Sequence, residues 1–522
     1  MKSTQAILSL CLCFSFNFAH LNTKAQITTL DSSSKLISPV VAIVKAGDDL
    51  SNCSSCKVEL YYLNTPNNKV KQDSTFALNS LPKQALKVKG KMHIRGRSTK
   101  SAQKKQYEFK LDKKSKENLP DGTHFMNMKH GGSHWTFNDA GAVDSTLIRN
   151  VFAFHLQRKL GYWAPRTKYF ELFIISENAS KLSHKHYLNR VIANPDSFYQ
   201  GVYVLMEKIK SEKHRIDIPK FKDTVGSQAF ILQLNPPEPL KYLSLPDLTL
   251  TSQVQIYEPK IDEMGSHKSQ DSAYINQWYA NWTQQALTLY TNYANDSGCP
   301  QSKVKGVYRP CPNATEDKKE VNKKAWKAFR SQTDYSSFAA YFLLNELARD
   351  PDGYHRSTFM YVKADSVAYA GPLWDKNKSF GNKAVPEFNY GCGKNQSVKE
   401  YYYNTSGWSY CYGGLGQSPV WWEVLLLDPN FSKTVWQLWQ QERTKKGAFT
   451  YKEMVKHINK EQSYLSQTQA ASRNAAKWYS GNKYYSFENN VEELKTYLEE
   501  RLKWMDNNLK SLLEERSAVS LD

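Results

Sequence analysis

The chain has 522 residues, with Lys and Arg at 70 against Asp and Glu at 50, a formal net charge of +20. That length allows two or three average domains, or one large domain with insertions, and excludes a chain too short to bury a sizeable core. The positive balance favours acidic partners such as phosphate-bearing ligands, anionic polymers or acidic proteins; the lysines are scattered rather than gathered in a stripe, and no nucleic-acid partner is expected.

The opening MKSTQAILSLCLCFSFNFAHLNTKAQ sets Lys2 before an apolar run over residues 7–19 and ends on Thr23 and Ala25, small residues at cleavage positions. Residues 1–25 therefore read as a secretory signal peptide. No later stretch is apolar for the roughly 20 residues of a membrane helix, so the mature chain is expected to be exported, secreted or periplasmic/extracellular, with no membrane span. Without Cys11 and Cys13, the cysteines left are Cys53, Cys56, Cys299, Cys311, Cys392 and Cys411, which read as three sequence-local disulfides.

Residues 26–56 are rich in Ser, Thr and Asp and read as an N-terminal linker. From about Val58, the alternating VELYYL, LKVKGKMHIRG and QYEFKL predict antiparallel strands. A helix follows, capped by Asp144, carrying Leu147, Ile148, Val151, Phe152 and Leu156 on its apolar stripe and stopped by Gly161. YFELFII, GVYVLMEKI and AFILQL read as further strands. Residues from about 291 to 328 read as an insertion, and a second strong helix starts at Asp334. STFMYV and VAYAGPLW are strands leading to Asp375. The last third is helical, with a core domain expected over 57–445 and a helical extension over 446–522. Runs of strands and runs of helices, without a βαβ alternation, predict an α+β fold: a mainly antiparallel sheet with flanking helices and a helical C-terminal part. Trp421, Trp422, Trp436 and Trp439 sit at helical spacings that suit core packing better than glycan binding.

No Ser-His-Asp signature, HExxH motif or phosphate loop can be quoted. Four other segments carry candidate chemistry. IRGRSTKSAQKK holds Arg95, Gly96, Arg97, Ser98 and Thr99 in a glycine turn, with Lys104 and Lys105 beyond it, a setting that suits phosphate oxygens. Glu207 and Lys208 close an apolar strand. Asp350 and Asp352 stand at a helix end in RDPDG. Asp375 follows a strand in GPLWDKNKSFGN, with Asn377 close behind. Carboxylates at a helix end and a strand end, with an asparagine nearby, match the few hard oxygens that magnesium takes besides water and phosphate.

In order, RGRSTKSAQKKQYEFKL, VDSTLIRNVFAFHLQRKLGYWAPRTKYFELFI, YQGVYVLMEKIKSEKHRIDI, LLNELARDPDGYHRSTFMYVK, GPLWDKNKSFGN and WWEVLLLDPNF span about residues 85–445, and through them the chain resembles the CotH-type (spore-coat protein H) atypical kinases. The resemblance implies an atypical protein-kinase-like fold, ATP with Mg2+ or Mn2+ as cofactors, and a protein acceptor. It implies that residues 95–99 and Lys105 lie near the nucleotide, that Glu207 and Lys208 support it, and that Asp352 is catalytic and Asp375 holds the metal. Family members usually read WDFD where this chain has WDKN, and asparagine where it has Asp350. A carboxylate lost at Asn377 and one gained at Asp350 would leave the acid count at the metal unchanged. The same departure admits a rival: a catalytically degenerate pseudokinase, or a surface binding or adhesion protein, on the same scaffold.

Overall fold

The computed structural model describes residues 30–44, 50–63, 75–96, 100, 102–119, 124–128, 132–139, 143–176, 183–219, 229–234, 254–260, 268–294, 316–350, 352–354, 356–382, 419–482, 485–517 and 519–521. The expected signal peptide and Cys299, Cys311, Cys392 and Cys411 fall outside these residues. Its strands are β1 (Lys35–Ile37), β2 (Val40–Val44), β3 (Cys56–Leu63), β4 (Thr75–Ala77), β5 (Ala85–Arg95), β6 (Gln106–Leu111), β7 (His134–Asn138), β8 (Thr167–Ile175), β9 (Tyr199–Glu207), β10 (Phe230–Leu234), β11 (Val254–Glu258), β12 (Thr358–Val362) and β13 (Ala368–Ala370). The longer helices are α1 (Arg149–Lys159), α2 (His184–Ala193), α3 (Lys268–Ala294), α4 (Glu316–Ser331), α5 (Tyr335–Ala348), α6 (Val420–Leu427), α7 (Pro429–Glu442), α8 (Tyr451–Gln467), α9 (Ala470–Trp478) and α10 (Phe487–Ser517).

The α+β class holds, with a sheet more closed than the expected one. Seven strands form a barrel in the order β2-β3-β5-β6-β7-β9-β8. Six of its contacts are antiparallel and β2 joins β8 in parallel. With an odd number of strands, full alternation cannot close the ring, so one parallel seam is required. On β3, Val58, Leu60 and Tyr62 face a barrel core with Phe109, Trp135 and Phe137, whereas Tyr61 and Leu63 face a second cluster with Leu81 and Leu188. Residues 35–44, expected as linker, carry β1 and β2. All of VVAIV in β2 is buried, because both of its faces are covered; a strand buried on both sides shows no alternation to read. Strand β7 was likewise not foreseen.

The second body combines a sheet in the order β11-β10-β12-β13 with the helices. Its core holds Phe338, Phe342, Trp421, Trp422 and Trp439, so these tryptophans pack inward as the spacing indicated. Asp334 caps α5 by accepting the Ser337 amide at 2.7 Å. The last helices tie the two bodies together: buried Arg473 of α9 donates to Glu171 of β8 at 2.8 and 2.9 Å, and buried Arg501 of α10 donates to the Glu346 carbonyl of α5 at 2.9 Å through Nε. Cys53 and Cys56 lie at disulfide distance, with Cα atoms 5.7 Å apart.

Candidate functional site

Helix α1 organises the site from below. The N-cap residue is Ile148, without a side-chain cap bond, and not the expected Asp144, which from further upstream accepts the Arg149 amide at 2.8 Å and Arg149 Nη1 at 2.7 Å. Residues 145–148 form a capped turn with Leu147 at φ 62°, so the helix starts at Arg149, slightly later than the pattern suggested. From this helix, Arg149 Nε donates to the Ser379 carbonyl at 2.9 Å, Asn150 Oδ1 accepts the Lys376 amide at 2.6 Å, and Gln157 Oε1 accepts the Leu373 amide at 2.8 Å. The loop after β13 is thus held at three points. Within it Asp375 has φ 58°, a left-handed conformation that aspartate tolerates better than most residues.

The second loop leaves α5. Arg349 turns left-handed at φ 43°, and the Asp352 amide donates to Asp350 Oδ1 at 3.2 Å. Gly353 is needed where it stands: a Cβ there would come within 2.7 Å of Asn345 Oδ1 and 3.0 Å of the Asp350 carbonyl.

Between these loops the acidic residues separate into two roles. Asp350 and Lys376 are both fully buried and form an ion pair, and Lys376 Nζ also donates to Asn345 Oδ1 at 3.1 Å. Burial alone would push the Lys376 ammonium down, yet Asp350 and the Tyr341 phenol beside it hold it above the usual lysine range. Asp350, expected among the metal carboxylates, is paired with Lys376.

Asp352 lies near enough to Asp375 for its charge to act on that carboxyl. Lys378 Nζ stands 3.4 Å from Asp352 Oδ2. Burial pushes the Asp375 carboxyl up, Lys378 pulls it back, and the negative charge of Asp352 adds to the rise. Arg95, at the end of β5, reaches over the Trp374 ring at 5.4 Å and brings the barrel rim against this loop. Residues 97–99 of the expected phosphate turn lie outside the described residues; Gly96 has φ 106°.

The remaining expected residues take other places. Lys105 is turned outward, donating to the Lys100 carbonyl at 2.7 Å. Lys104 points inward instead, donating to the Val202 carbonyl at 2.5 Å and to Asn474 Oδ1 of α9 at 2.8 Å. Gly201 keeps room for this clamp, because a Cβ would meet Asn474 Oδ1 at 2.6 Å. Glu207 is fully buried and accepts from the Arg166 amide at 3.0 Å and from Arg166 Nε at 2.8 Å, an anchor for β9. Lys208 donates to Glu108 at 2.6 Å across the rim that also carries Arg95.

Asp139, just past β7, was not among the expected residues. It is 2 % exposed. Burial raises its carboxyl to about 6, against the pull of Lys104, and the charge of Asp375 contributes to the rise. The only sequence signal was an acid at the end of HWTFND, which strand-end acids share generally. Asn377, 6 % exposed, lines a small cavity with Asp139.

A barrel rim and two loops of a helical body thus bring Asp352, Asp375, Lys378 and Arg95 near one another. The chain belongs to the CotH kinase protein family, which it matches over residues 92–505. No curated protein matches it. Membership of a kinase family suggests a nucleotide, a divalent metal and a protein substrate. No helix among the described residues is long and apolar enough to cross a membrane.

Proposed function

We propose that this chain is an exported atypical protein kinase with a kinase-like fold, moving the ATP γ-phosphoryl group to a Ser or Thr hydroxyl of an envelope, coat or extracellular protein. The observation that carries the reading is the meeting of Asp352 and Asp375 from separate loops, with Lys378 and Arg95 beside them, in a chain of this family. Asp352 accepts the proton of the attacking hydroxyl as that oxygen bonds to the γ-phosphorus and the bond to the β-phosphate oxygen breaks, releasing ADP. Arg95 and Lys378 face the phosphate charge, and Lys208 with Glu108 stands on the same rim. Asp375 would hold the divalent ion. Among the described residues no three His, Cys, Asp or Glu side chains converge on one point, so an ion held here would need further oxygen ligands besides the protein's, as magnesium commonly does. When bound, Mg2+ or Mn2+ neutralises phosphate charge. Export is supported by the leader-like first residues and by the Cys53–Cys56 pair.

A second reading, a binding protein on the same scaffold without transfer, is favoured by Asn377, which stands where the family usually has an acid. Labelled ATP with magnesium or manganese separates them. The kinase reading expects incorporation that falls at least about 100-fold in both Asp352→Ala and Asp375→Ala. Nucleotide binding without transfer selects the second reading, and no nucleotide uptake with either ion removes the first.

A further inference from the structure

Where Asn377 of the Asp375 loop meets the end of β7 and the start of α1, Asn138, Asp139, Val143, Asp144, Asn150 and Asn377 line a small cavity. Two of its polar side chains are engaged elsewhere. Asp144 accepts from Arg149 and from Thr146 at 2.6 Å and 3.0 Å. Asn150 Oδ1 accepts the Lys376 amide at 2.6 Å. Asp139 Oδ2 and Asn377 Oδ1, in contrast, are buried with no hydrogen-bond partner. Both are acceptors only, and one carries a carboxylate charge. A buried acceptor left without a donor or cation is costly, more so when charged.

We infer that Asp139 and Asn377 hold a divalent cation in this cavity, bound by the chain without nucleotide. Hard oxygens from one carboxylate and one amide, with water completing the shell, suit magnesium or manganese. A single water donating to both oxygens would satisfy the amide as well, but would leave the carboxylate charge to the fields of Lys104 and Arg95, and the Lys104 ammonium is directed at Val202 and Asn474. The inference deepens the kinase reading by adding a second position for metal next to Asp375, and it rests on that reading only for the use made of the ion.

The test is titration of nucleotide-free protein with MnCl2 alone, followed by the paramagnetic resonance of free Mn2+. Wild type binds one ion in the absence of ATP; Asp139→Asn weakens it about tenfold or more, and Asn377→Asp, which adds a carboxylate, tightens it. Because the second variant gains affinity, misfolding cannot imitate the result. Absence of Mn2+ binding by wild type, or an affinity that neither variant changes, overturns the inference and leaves water in the cavity. Binding lost in Asp375→Asn yet intact in Asp139→Asn also overturns it while the kinase reading stands. Phosphoryl transfer is scored separately with labelled ATP, so failure of one does not pass for failure of the other.

Discussion

Lys376 illustrates how far one residue's role depends on a partner distant in sequence. An ammonium in full burial requires a carboxylate, and Asp350 supplies it. Removing one member of such a pair is costlier than removing both, because the remaining charge stays buried. Asp350→Asn is therefore expected to lower stability by roughly 3–5 kcal/mol. Asp350→Asn combined with Lys376→Phe, which restores the pair of residues usual in the family, should recover most of that loss or exceed wild type. Urea unfolding of the three proteins checks this. Equal losses in the single and double variants would show that the two residues are not coupled.

At the scale of elements, helices α1 and α8 meet through His155 and His457, whose rings stack with centroids 3.7 Å apart. Burial pushes His155 down to about 4 and His457 down to about 3, with the neighbouring lysines, arginines and the other imidazole adding to the effect. A histidine depressed in the folded state takes up its proton more readily when unfolded. Stability is then complete above the ordinary pKa of about 6.5 and is lost progressively as the pH falls from there toward the folded values of about 4 and 3. Between pH 7 and pH 5 the pair is expected to lose roughly 2 kcal/mol, allowing for partial solvent screening. In His457→Phe, which keeps a ring against His155 and Phe152, the unfolding midpoint should move less over that interval. A midpoint equally pH-dependent in the variant would assign the effect elsewhere.

Over the whole molecule, the last helices belong to the site's support. Arg473 neutralises buried Glu171 of the barrel, Asn474 receives both Lys104 and the Val202 amide, and Arg501 closes on the end of α5. Ending the chain at residue 445 would leave Glu171 buried without its guanidinium and Lys104 without its amide partner. The truncated chain is expected to lose cooperative unfolding and to be cut rapidly by protease under conditions where the full chain resists. A truncated protein with an unchanged urea transition would make these helices an independent appendage.

The strands with one clean apolar face, such as QYEFKL, and the helix capped at Asp334 were legible because alternation, helical spacing and capping act within a few residues. So were the two loops that end in Asp352 and Asp375, whose aspartates follow a helix stop and a strand end. VVAIV was not legible as a barrel strand, since burial on both faces erases the alternating pattern. Nor could spacing show that Lys376 faces Asp350, that Lys104 rather than Lys105 turns inward, or that Asp139 stands beside Asn377. Local signals decide where an element begins and which face it hides. Which charges become neighbours is decided by the closure of the barrel and the docking of the helices on it, because burial strengthens or forbids a charge only according to what the rest of the chain places beside it.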